Sequence, residues 1–393
     1  MVLRGRLLNR EGVYNIEIKD GWIADVAACP NEACSDDVPL ILPGLFDIQI
    51  NGYVGVTFSS PAITTDDFKR CIKALWQRGV VNICPTITTN THEAILHAIK
   101  VIAKTCREDK AIRETVIGIH LEGPYISGED GPRGAHPQQY VKDPDLDELK
   151  KFNEAADGRI SIVTLAPERH GAFECIEKLS NEGILVALGH TAASPEQISK
   201  AIAKGARLVS HIGNGVHTYL HRHDCYIWEE LARNELWASI ITDGIHLPDN
   251  FINCVFCCKG LEKTVLISDA SGLAGLPPGE YKAGAGHLLR VEEELKIVRA
   301  DSGRLSGSAY NLTQCVEYAM QLDELTLPQV IDMATYNPSK LLGIDNDYGT
   351  LTMGKRANLS VVNEKIDSGK IEVVKSIVGG EVVFDSEKVA SSR

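Results

Sequence analysis

A glutamate ends an apolar strand in the segment Gly118 to Ser127, which reads GIHLEGPYIS. The alternation of residues from Ile117 to Leu121 is typical of a strand, and Gly123-Pro124 ends it directly after Glu122. An unpaired buried carboxylate is costly or becomes protonated. We therefore expect Glu122 to have a cationic partner, either a metal ion or a basic side chain in an internal ion pair.

Other residues with metal-binding or acid-base chemistry follow other predicted strands. His190 and His211, taken with Glu122, offer one carboxylate and two imidazoles, a ligand set for one divalent metal that leaves positions for water and substrate. Asp269 lies outside this set and could take a proton from attacking water and return it to a leaving group. Each residue alone also has a structural interpretation, as a hydrogen-bonded imidazole or a capping aspartate.

The elements that must position these residues alternate between short apolar strands and amphipathic helices. The predicted strands are Leu45 to Ile50, Val80 to Thr86, Val116 to Leu121, Ile160 to Leu165, Ile184 to Leu188, Arg207 to Ser210, Trp237 to Thr242 and Val265 to Ser268. The helices include Asp66 to Arg78, His92 to Cys106, Ala172 to Asn181 and Pro195 to Lys204, the last capped by Ser194. Eight alternations predict an α/β fold, a (β/α)8 TIM barrel, with a doubly wound open sheet as the alternative. No glycine-rich phosphate loop follows a strand, which favours the barrel.

Both ends of the chain differ from the middle, because their sequence predicts short antiparallel strands without intervening helices. The first predicted pair is Gly12 to Ile18 and Trp22 to Ala28, and the last pair turns at Gly379-Gly380. We predict a small β-sandwich domain built from residues 1–42 and 347–393, and a barrel domain spanning residues 43–346. In a barrel, the residues after the strands meet at one face, so the candidate residues are expected to converge there.

The composition of the chain argues against some classes of binding partner. The formal charge is −13, with 53 acidic and 40 basic residues among 393, which argues against nucleic acid or an anionic membrane as a partner. The start of the chain has no apolar stretch of signal-peptide length. The 11 cysteines form no regular framework, as expected in a reducing compartment, so we expect a cytoplasmic protein.

Several motifs together resemble the amidohydrolase superfamily and, within it, the deacetylases of N-acetylated hexosamine 6-phosphates. The resemblance covers nearly the whole chain. The motifs are Pro43 to Asp47, His120 to Pro124, Gly189 to Thr191, His211 with Asn214, Asp243 to His246, Ser268 to Ala270, Leu305 to Ser308, Gly349 to Leu351 and Gly354 to Leu359.

The resemblance implies a hydrolase that removes acetate from the 2-acetamido group of such a sugar phosphate. Glu122, His190 and His211 would be the metal ligands, and Asp269 the catalytic base and acid. Metal chemistry fits this reaction, because an amide is a poor electrophile and a divalent ion both acidifies water and polarises a carbonyl. The implied substrate contacts are Gln49, Ala135, His136, Asn214, Gly215, Arg222, His246, Leu305, Ser306 and Gly307.

The first strand bears on the number of metals. Several superfamily members carry His-x-His there to hold a second ion, whereas this chain has Gln49-Ile50-Asn51. Neutral amides are poor ligands for zinc or iron, so we expect one divalent metal ion per subunit, zinc first, with iron or manganese as alternatives. The family habit also implies a homodimer in which the neighbouring subunit reaches the phosphate.

One segment departs from the family pattern. After His211 the family usually reads Asn-Ala-Met, but this chain has Asn214-Gly215-Val216, and residues 223–230 replace a Pro-Gly and small residues. Because this segment should shape the sugar or phosphate pocket, a second hypothesis keeps the hydrolysis and changes the substrate to another N-acyl amino sugar or N-acyl amino acid. A third is a barrel that has lost catalysis and serves in binding, which the retained candidate residues disfavour.

Overall fold

A computed structural model of the chain describes residues 1–30, 38–282, 288–301, 303, 305–322, 325–365 and 369–390. Each of the two predicted domains includes residues that lie outside these ranges. The predictions for residues 31–37, 283–287, 302, 304, 323–324, 366–368 and 391–393 lie outside the described residues.

The strands of the described chain are short, and most fall within a few residues of those predicted. In chain order they are β1 Val2–Leu7, β2 Arg10–Lys19, β3 Trp22–Ala28, β4 Leu40–Pro43, β5 Leu45–Ile50, β6 Gly52–Tyr53, β7 Val56–Thr57, β8 Val80–Thr88, β9 Ile119–Glu122, β10 Ile160–Leu165, β11 Leu185–Leu188, β12 Leu208–Val209, β13 Trp237–Ile241, β14 Thr264–Ile267, β15 Gly279–Lys282, β16 Leu288–Val291, β17 Ile297–Arg299, β18 Leu359–Lys365, β19 Lys370–Val378 and β20 Glu381–Asp385.

The helices alternate with the central strands. They are α1 Thr65–Trp76, α2 His92–Glu108, α3 Lys110–Thr115, α4 Leu146–Ala155, α5 Ala172–Asn181, α6 Pro195–Lys204, α7 Tyr226–Ala232, α8 Asp249–Lys259, α9 Leu312–Ala319, α10 Leu327–Met333, α11 Tyr336–Leu341 and α12 Ser386–Ala390, with 3-10 turns at Gln138–Tyr140 and Leu261–Lys263. None of the described helices is long and apolar enough to cross a membrane.

Eight parallel strands form the barrel and confirm the predicted fold. Strands β5, β8, β9, β10, β11, β12, β13 and β14 pair in that order. Between β14 and β5 the pairing is reduced to a single parallel bridge, which joins Ile50 to Ala270. All six residues of β5 are buried, as are eight of the nine in β8, as expected for strands covered on both faces. The carboxyl ends of the strands therefore meet at one face of the barrel.

Local sequence signals account for many of the boundaries. The predicted cap of α6 is confirmed: the Ser194 side chain accepts a hydrogen bond from Gln197 N in a capping box, and Pro195 opens the helix. One strand start was wrong. The strand predicted from Val116 begins at Ile119, because Lys110–Thr115 forms the additional helix α3 and Val116 is its C-cap.

The predicted small β domain is present and draws on both ends of the chain. Its strands form one seven-stranded sheet in the order β20, β19, β18, β4, β1, β2, β3. The antiparallel pairing of β18 with β4 joins the two ends, and the predicted turn at Gly379-Gly380 links β19 to β20. Gly349 to Leu351, one of the motifs named above, forms no strand.

A three-stranded antiparallel sheet, β15-β16-β17, was not predicted and lies between β14 and α9 in the chain. It has its own small apolar cluster of Leu289, Val291, Ile297 and Ala309. An isolated bridge from Val298 to Leu305 connects it to the segment Leu305 to Gly307. The insertion is therefore joined to a segment that was predicted to contact substrate.

Candidate active site

Four candidate residues follow barrel strands in a repeated way. Glu122 is the last residue of β9, whereas His190, His211 and Asp269 each lie two residues beyond the ends of β11, β12 and β14. These last three are in the left-handed region, with φ of 51°, 33° and 47°. Residues other than glycine rarely adopt this conformation, and such strain is concentrated at functional sites. The chain turns sharply at each of these three strand ends.

Glu122, His190 and His211 converge on one point. Glu122 Oε1 lies 2.9 Å from His211 Nε2 and 3.3 Å from His190 Nε2, and the two Nε2 atoms are 3.0 Å apart. All three residues are at least nine-tenths buried. The structure thus brings together the three residues predicted as ligands.

The electrostatics of this cluster centre on Glu122. Burial alone would raise the pKa of the Glu122 carboxyl, but the imidazoles of His190 and His211 more than offset burial and hold this pKa well below its ordinary value. For His211, burial acts to lower the pKa, and the contact with Glu122 outweighs it and raises the pKa to about 8. The carboxylate therefore favours a positive partner.

The orientation of His190 is set by its other nitrogen. Its Nδ1 lies 2.8 Å from the carbonyl oxygen of Pro132, so Nδ1 carries a proton and donates it there. The Nε2 lone pair is left facing Glu122 and His211, as in histidines that bind metals. Pro132 belongs to the loop Gly128 to His136, which thus orients one candidate ligand from outside the barrel strands.

His136, predicted to contact substrate, lies against the same cluster. Its Nε2 is 3.2 Å from His190 Nε2, and its Nδ1 is 2.8 Å from Thr89 Oγ1. Ligand atoms of Glu122, His136 and His190 all lie within 4.8 Å of one another, so His136 is a further candidate ligand. Burial lowers the pKa of His136 to about 3, which keeps its imidazole neutral.

The cluster suits a divalent cation. Zinc and similar ions bind carboxylates and neutral imidazoles, and this cluster offers one carboxylate and two imidazoles. Three protein ligands leave one coordination position open for water or substrate. His211 Nδ1 is buried without a hydrogen-bond partner among the described residues. Burial of an anionic carboxylate with two imidazole nitrogens 3.0 Å apart is better satisfied by a shared cation than by protons alone.

Asp269 lies beside this cluster and is held by two amides from the first barrel strand. Asn51 Nδ2 donates to Asp269 Oδ1 at 2.7 Å, and Gln49 Nε2 lies 3.5 Å from the same oxygen. Gln49 Nε2 also donates to Glu122 Oε1 at 2.7 Å, so it connects the two carboxylates. Burial, with the nearby charge of Glu122, raises the pKa of Asp269, which suits a group that must both take and return a proton.

Asn214 and Gly215 lie against the cluster, where Asn214 N donates to His211 O at 2.9 Å and Gly215 lies beside the His190 ring. Asn214 Nδ2 is buried without a partner in the described chain. Gly215 has a φ of 60°, and a Cβ there would stand 2.6 Å from His190 Nδ1, so only glycine fits this approach. Ala135, also predicted to contact substrate, is exposed.

The two residues predicted to meet a phosphate differ in their surroundings. His246 Nδ1 lies 2.7 Å from Asp243 Oδ2, which orients the ring, and its side chain is largely buried. Arg222 is exposed, and its backbone carbonyl accepts a hydrogen bond from Trp228 Nε1 at 3.0 Å. Nothing in the described part of this chain brings the Arg222 guanidinium to the cluster.

The segment Leu305 to Gly307 runs beside Asp269. Leu305, Ser306 and Gly307 are partly buried, and a Cβ on Gly307 would lie 3.4 Å from the carbonyl oxygen of Asp269. Ser306 N is hydrogen-bonded to Ile297 O of the inserted sheet at 3.0 Å. The segment predicted to contact substrate therefore lies between Asp269 and the inserted sheet.

Sequence reasoning overlooked three residues that hold the site together. Asn51, named only as a poor metal ligand, binds Asp269. Its spacing of two from Gln49 could have revealed this, since alternate strand residues share a face. Asp243 orients His246, and Glu168 accepts hydrogen bonds from Thr191 and Ala192 directly after His190. No local signal marks Glu168, because its role depends on the meeting of two loops.

Proteins of known activity resemble this chain over nearly its full length. It is 32% identical over 375 residues to the N-acetylgalactosamine-6-phosphate deacetylase of Escherichia coli O157:H7, covering 94% of this chain and 95% of that protein. It is 30% identical over 385 residues to the N-acetylglucosamine-6-phosphate deacetylase of Bacillus subtilis (strain 168), covering 95% and 93%.

A solved structure resembles the whole fold. It is a variant of the N-acetyl-D-glucosamine-6-phosphate deacetylase of Mycobacterium smegmatis in complex with N-acetyl-D-glucosamine-6-phosphate. The TM-score is 0.85 at 26% sequence identity, covering 98% of this chain and 99% of that one. The model of the Amidohydrolase family matches residues 40–383, which include every strand of the barrel. With its barrel, its strand-end cluster and this match, the chain belongs to the amidohydrolase family.

Proposed function

We propose that this protein is a metal-dependent deacetylase that hydrolyses N-acetyl-D-glucosamine 6-phosphate to D-glucosamine 6-phosphate and acetate. The observation that carries the proposal is the convergence of Glu122, His190 and His211 beside the half-buried Asp269. The relatives named above support the substrate, since they act on acetylated hexosamine 6-phosphates by name.

Glu122, His190 and His211 would hold one divalent ion, which would supply Lewis-acid chemistry to acidify water and polarise the amide carbonyl. We propose zinc, with iron or manganese as alternatives, because this donor set accepts all three. Asp269 takes the proton of the attacking water and returns it to the departing amine. Asn51 and Gln49 keep its carboxylate in place during both transfers.

The substrate contacts are assigned by position. His136 faces the cluster and would contact the sugar and the acyl carbonyl, with Ala135, Asn214 and Gly215 beside it. Arg222 and His246 would bind the phosphate, and a planar guanidinium is well suited to that role. Because Arg222 is exposed on this chain, we propose a homodimer in which it serves the neighbouring subunit. We also propose a cytoplasmic location, which the free cysteines of the described residues support.

A second candidate is the same hydrolysis on another N-acyl amino sugar. Two observations favour it: the E. coli relative is named for the galactosamine compound, and residues 215–228 depart from the usual family pattern. The two candidate sugars differ only in the orientation of one hydroxyl, so the surrounding loops must discriminate between them. The N-acyl amino acid alternative has no comparable support.

A deacetylation panel tests these proposals. Purified protein with one equivalent of zinc is assayed with N-acetylglucosamine and N-acetylgalactosamine, each with and without the 6-phosphate, by release of acetate. We expect the highest kcat/KM for N-acetylglucosamine 6-phosphate and little turnover without phosphate. A preference for the galactosamine compound would replace the first proposal with the second, and no acetate from any compound would overturn both.

A further inference from the structure

Asp47 is a fully buried carboxylate to which the proposed reaction assigns no role. It lies in β5 and is 0% exposed. None of the basic side chains in the described residues forms an ion pair with it. Instead, Oδ2 accepts a hydrogen bond from Ser268 Oγ at 2.5 Å, and Oδ1 accepts from Ser268 N at 3.2 Å and from Gln49 N at 3.3 Å. Both oxygens are thus committed to the two strands that meet there.

This contact lies where the barrel closes. The first and last strands, β5 and β14, share only the bridge between Ile50 and Ala270, supported by backbone hydrogen bonds from Asp269 N to Gln49 O at 2.9 Å and from Asn51 N to Ala270 O at 2.9 Å. One step earlier in the two strands, the backbone N–H of Ser268 donates to the Asp47 side chain. The Asp47 carboxylate therefore links the first and last strands at the point where their backbone pairing stops.

The same hydrogen bonds bracket Asp269. Ser268, on one side, donates to Asp47 through both its N–H and its hydroxyl, and the hydroxyl accepts from Ala270 N at 3.0 Å on the other side. Asp269 between them has a φ of 47°, in the left-handed region that residues other than glycine adopt infrequently. This backbone conformation keeps the Asp269 carboxylate 2.7 Å from Asn51 Nδ2.

We propose that Asp47 is a positioning residue for Asp269, which its buried carboxylate holds in the left-handed conformation by tying Ser268 to the first barrel strand. The role of Asp269 in this statement rests on the proposed function. Asp47 contacts none of the side chains proposed as metal ligands, and it acts through Ser268 and through the backbone N–H of Gln49. The carboxylate is required because three donors approach two separate oxygens.

Graded variants test this proposal. Asp47→Ala removes all three hydrogen bonds, whereas Asp47→Asn keeps one oxygen and Ser268→Ala keeps the two backbone donors. We expect kcat to fall about 100-fold in Asp47→Ala and about 10-fold in the other two, because small misplacements of a reacting group have effects of this size. KM and metal content should stay within about twofold of the wild type, since Asp47 contacts no side chain proposed as a metal ligand and meets the predicted substrate contact Gln49 only at its backbone N–H.

Asn337→Ala is the matched control. Asn337 is buried and donates to Leu261 O at 2.7 Å and Thr264 O at 2.6 Å, at the opposite end of the same strand β14. It should lower Tm as much as Ser268→Ala does and leave kcat within about twofold. Equal losses of kcat in the two variants at equal Tm would overturn the proposal.

A crystal structure of the metal-free Ser268→Ala variant, or of Asp47→Ala if it folds, supplies a readout independent of activity. We expect Asp269 to leave the left-handed region and its contact with Asn51 to break. An Asp269 that keeps its φ and this contact would overturn the proposal. If the wild-type protein released no acetate in the panel, the proposed function would fail, and the crystal structures would still decide the role of Asp47.

Discussion

At the residue scale, the site depends on three strained strand ends. His190, His211 and Asp269 are all left-handed, a conformation that costs about 1–2 kcal/mol for each such residue. Neighbouring contacts must hold them, such as the bond from His190 Nδ1 to Pro132 O and the bond from Asn51 to Asp269. These contacts place the reacting groups before substrate arrives.

Asp269→Asn should abolish most turnover while metal binding persists. The amide cannot accept and return a proton, and general acid-base groups contribute about 10²–10⁴-fold. The measurement is kcat for the acetylated hexosamine 6-phosphate, with metal content determined on the same sample. Asp249→Asn, at an exposed helix start, is the control and should keep wild-type kcat. Full turnover in Asp269→Asn would show that another group is the base.

Glu122→Gln should lose the metal. A neutral amide is a poor ligand for zinc or iron, and Glu122 is the only anionic member of the cluster formed with His190 and His211. Metal analysis of purified protein should fall from about one equivalent to near zero. Glu148→Gln is the matched control, because Glu148 is also a buried carboxylate but pairs with His92, Lys142 and Tyr125 away from the cluster. A Glu122→Gln protein that retains a full equivalent would contradict the ligand assignment.

At the scale of elements, loops from different strands hold each other. The loop after β10 supplies Glu168, whose Oε2 accepts from Thr191 Oγ1 at 2.6 Å and whose Oε1 accepts from Ala192 N at 2.7 Å. The loop from Gly128 to His136 contacts the same region, because Pro132 O accepts a hydrogen bond from His190 Nδ1. The position of His190 is therefore a property of three segments that are distant in the chain.

Glu168→Ala should weaken metal binding although Glu168 touches none of the proposed ligands. Loss of two hydrogen bonds frees the segment after His190, and groups that orient metal ligands typically contribute 10–100-fold to affinity. Calorimetric titration of zinc into metal-free protein would measure this. Glu177→Ala, an exposed glutamate of α5 paired with Lys204, should keep wild-type affinity. Unchanged affinity in Glu168→Ala would show that the hydrogen bonds of Glu168 do not position His190.

At the scale of the whole molecule, the barrel interior contains a neutral polar side chain, His120, two residues before Glu122 of the candidate ligand cluster. His120 Nδ1 donates to Ile48 O at 3.0 Å, and its Nε2 is 2.7 Å from Thr164 Oγ1. Burial lowers the pKa of His120 from 6.5 to about 4. The neutral ring is thus part of the folded state, and acid favours the unfolded chain, where this histidine takes up a proton.

The pH dependence of the free energy of unfolding tests the lowered pKa of His120. Because the folded pKa of His120 lies below the unfolded value, its contribution is full above pH 6.5 and is lost as the pH falls towards 4. In metal-free protein, the stability of the wild type relative to His120→Gln should therefore shrink on acidification from pH 7 to 4, by about 3 kcal/mol at most. Urea unfolding at several pH values measures it. A constant difference would mean that His120 titrates normally in the folded protein.

The sequence itself determined the architecture, because local patterns encode it. Buried strands appear as short apolar runs, and the start of α6 is marked by Ser194 and Pro195 at fixed spacing. The alternation of these elements leads to a barrel, which brings strand-end residues such as Glu122 and Asp269 to one face. Prediction was weaker where one residue could belong to either of two elements. Val116 was predicted to start a strand, but it caps the end of helix α3.

Only the tertiary structure decided how the site is held. The contact of Asp47 with Ser268 spans 221 positions, and that of Asn51 with Asp269 spans 218, so no local pattern contains them. The left-handed turns at His190, His211 and Asp269 likewise depend on neighbours from other strands. Residue types and spacings thus determined which groups could do chemistry. Their distances, orientations and charge states arise only when distant segments pack, because burial and hydrogen bonding depend on the whole fold.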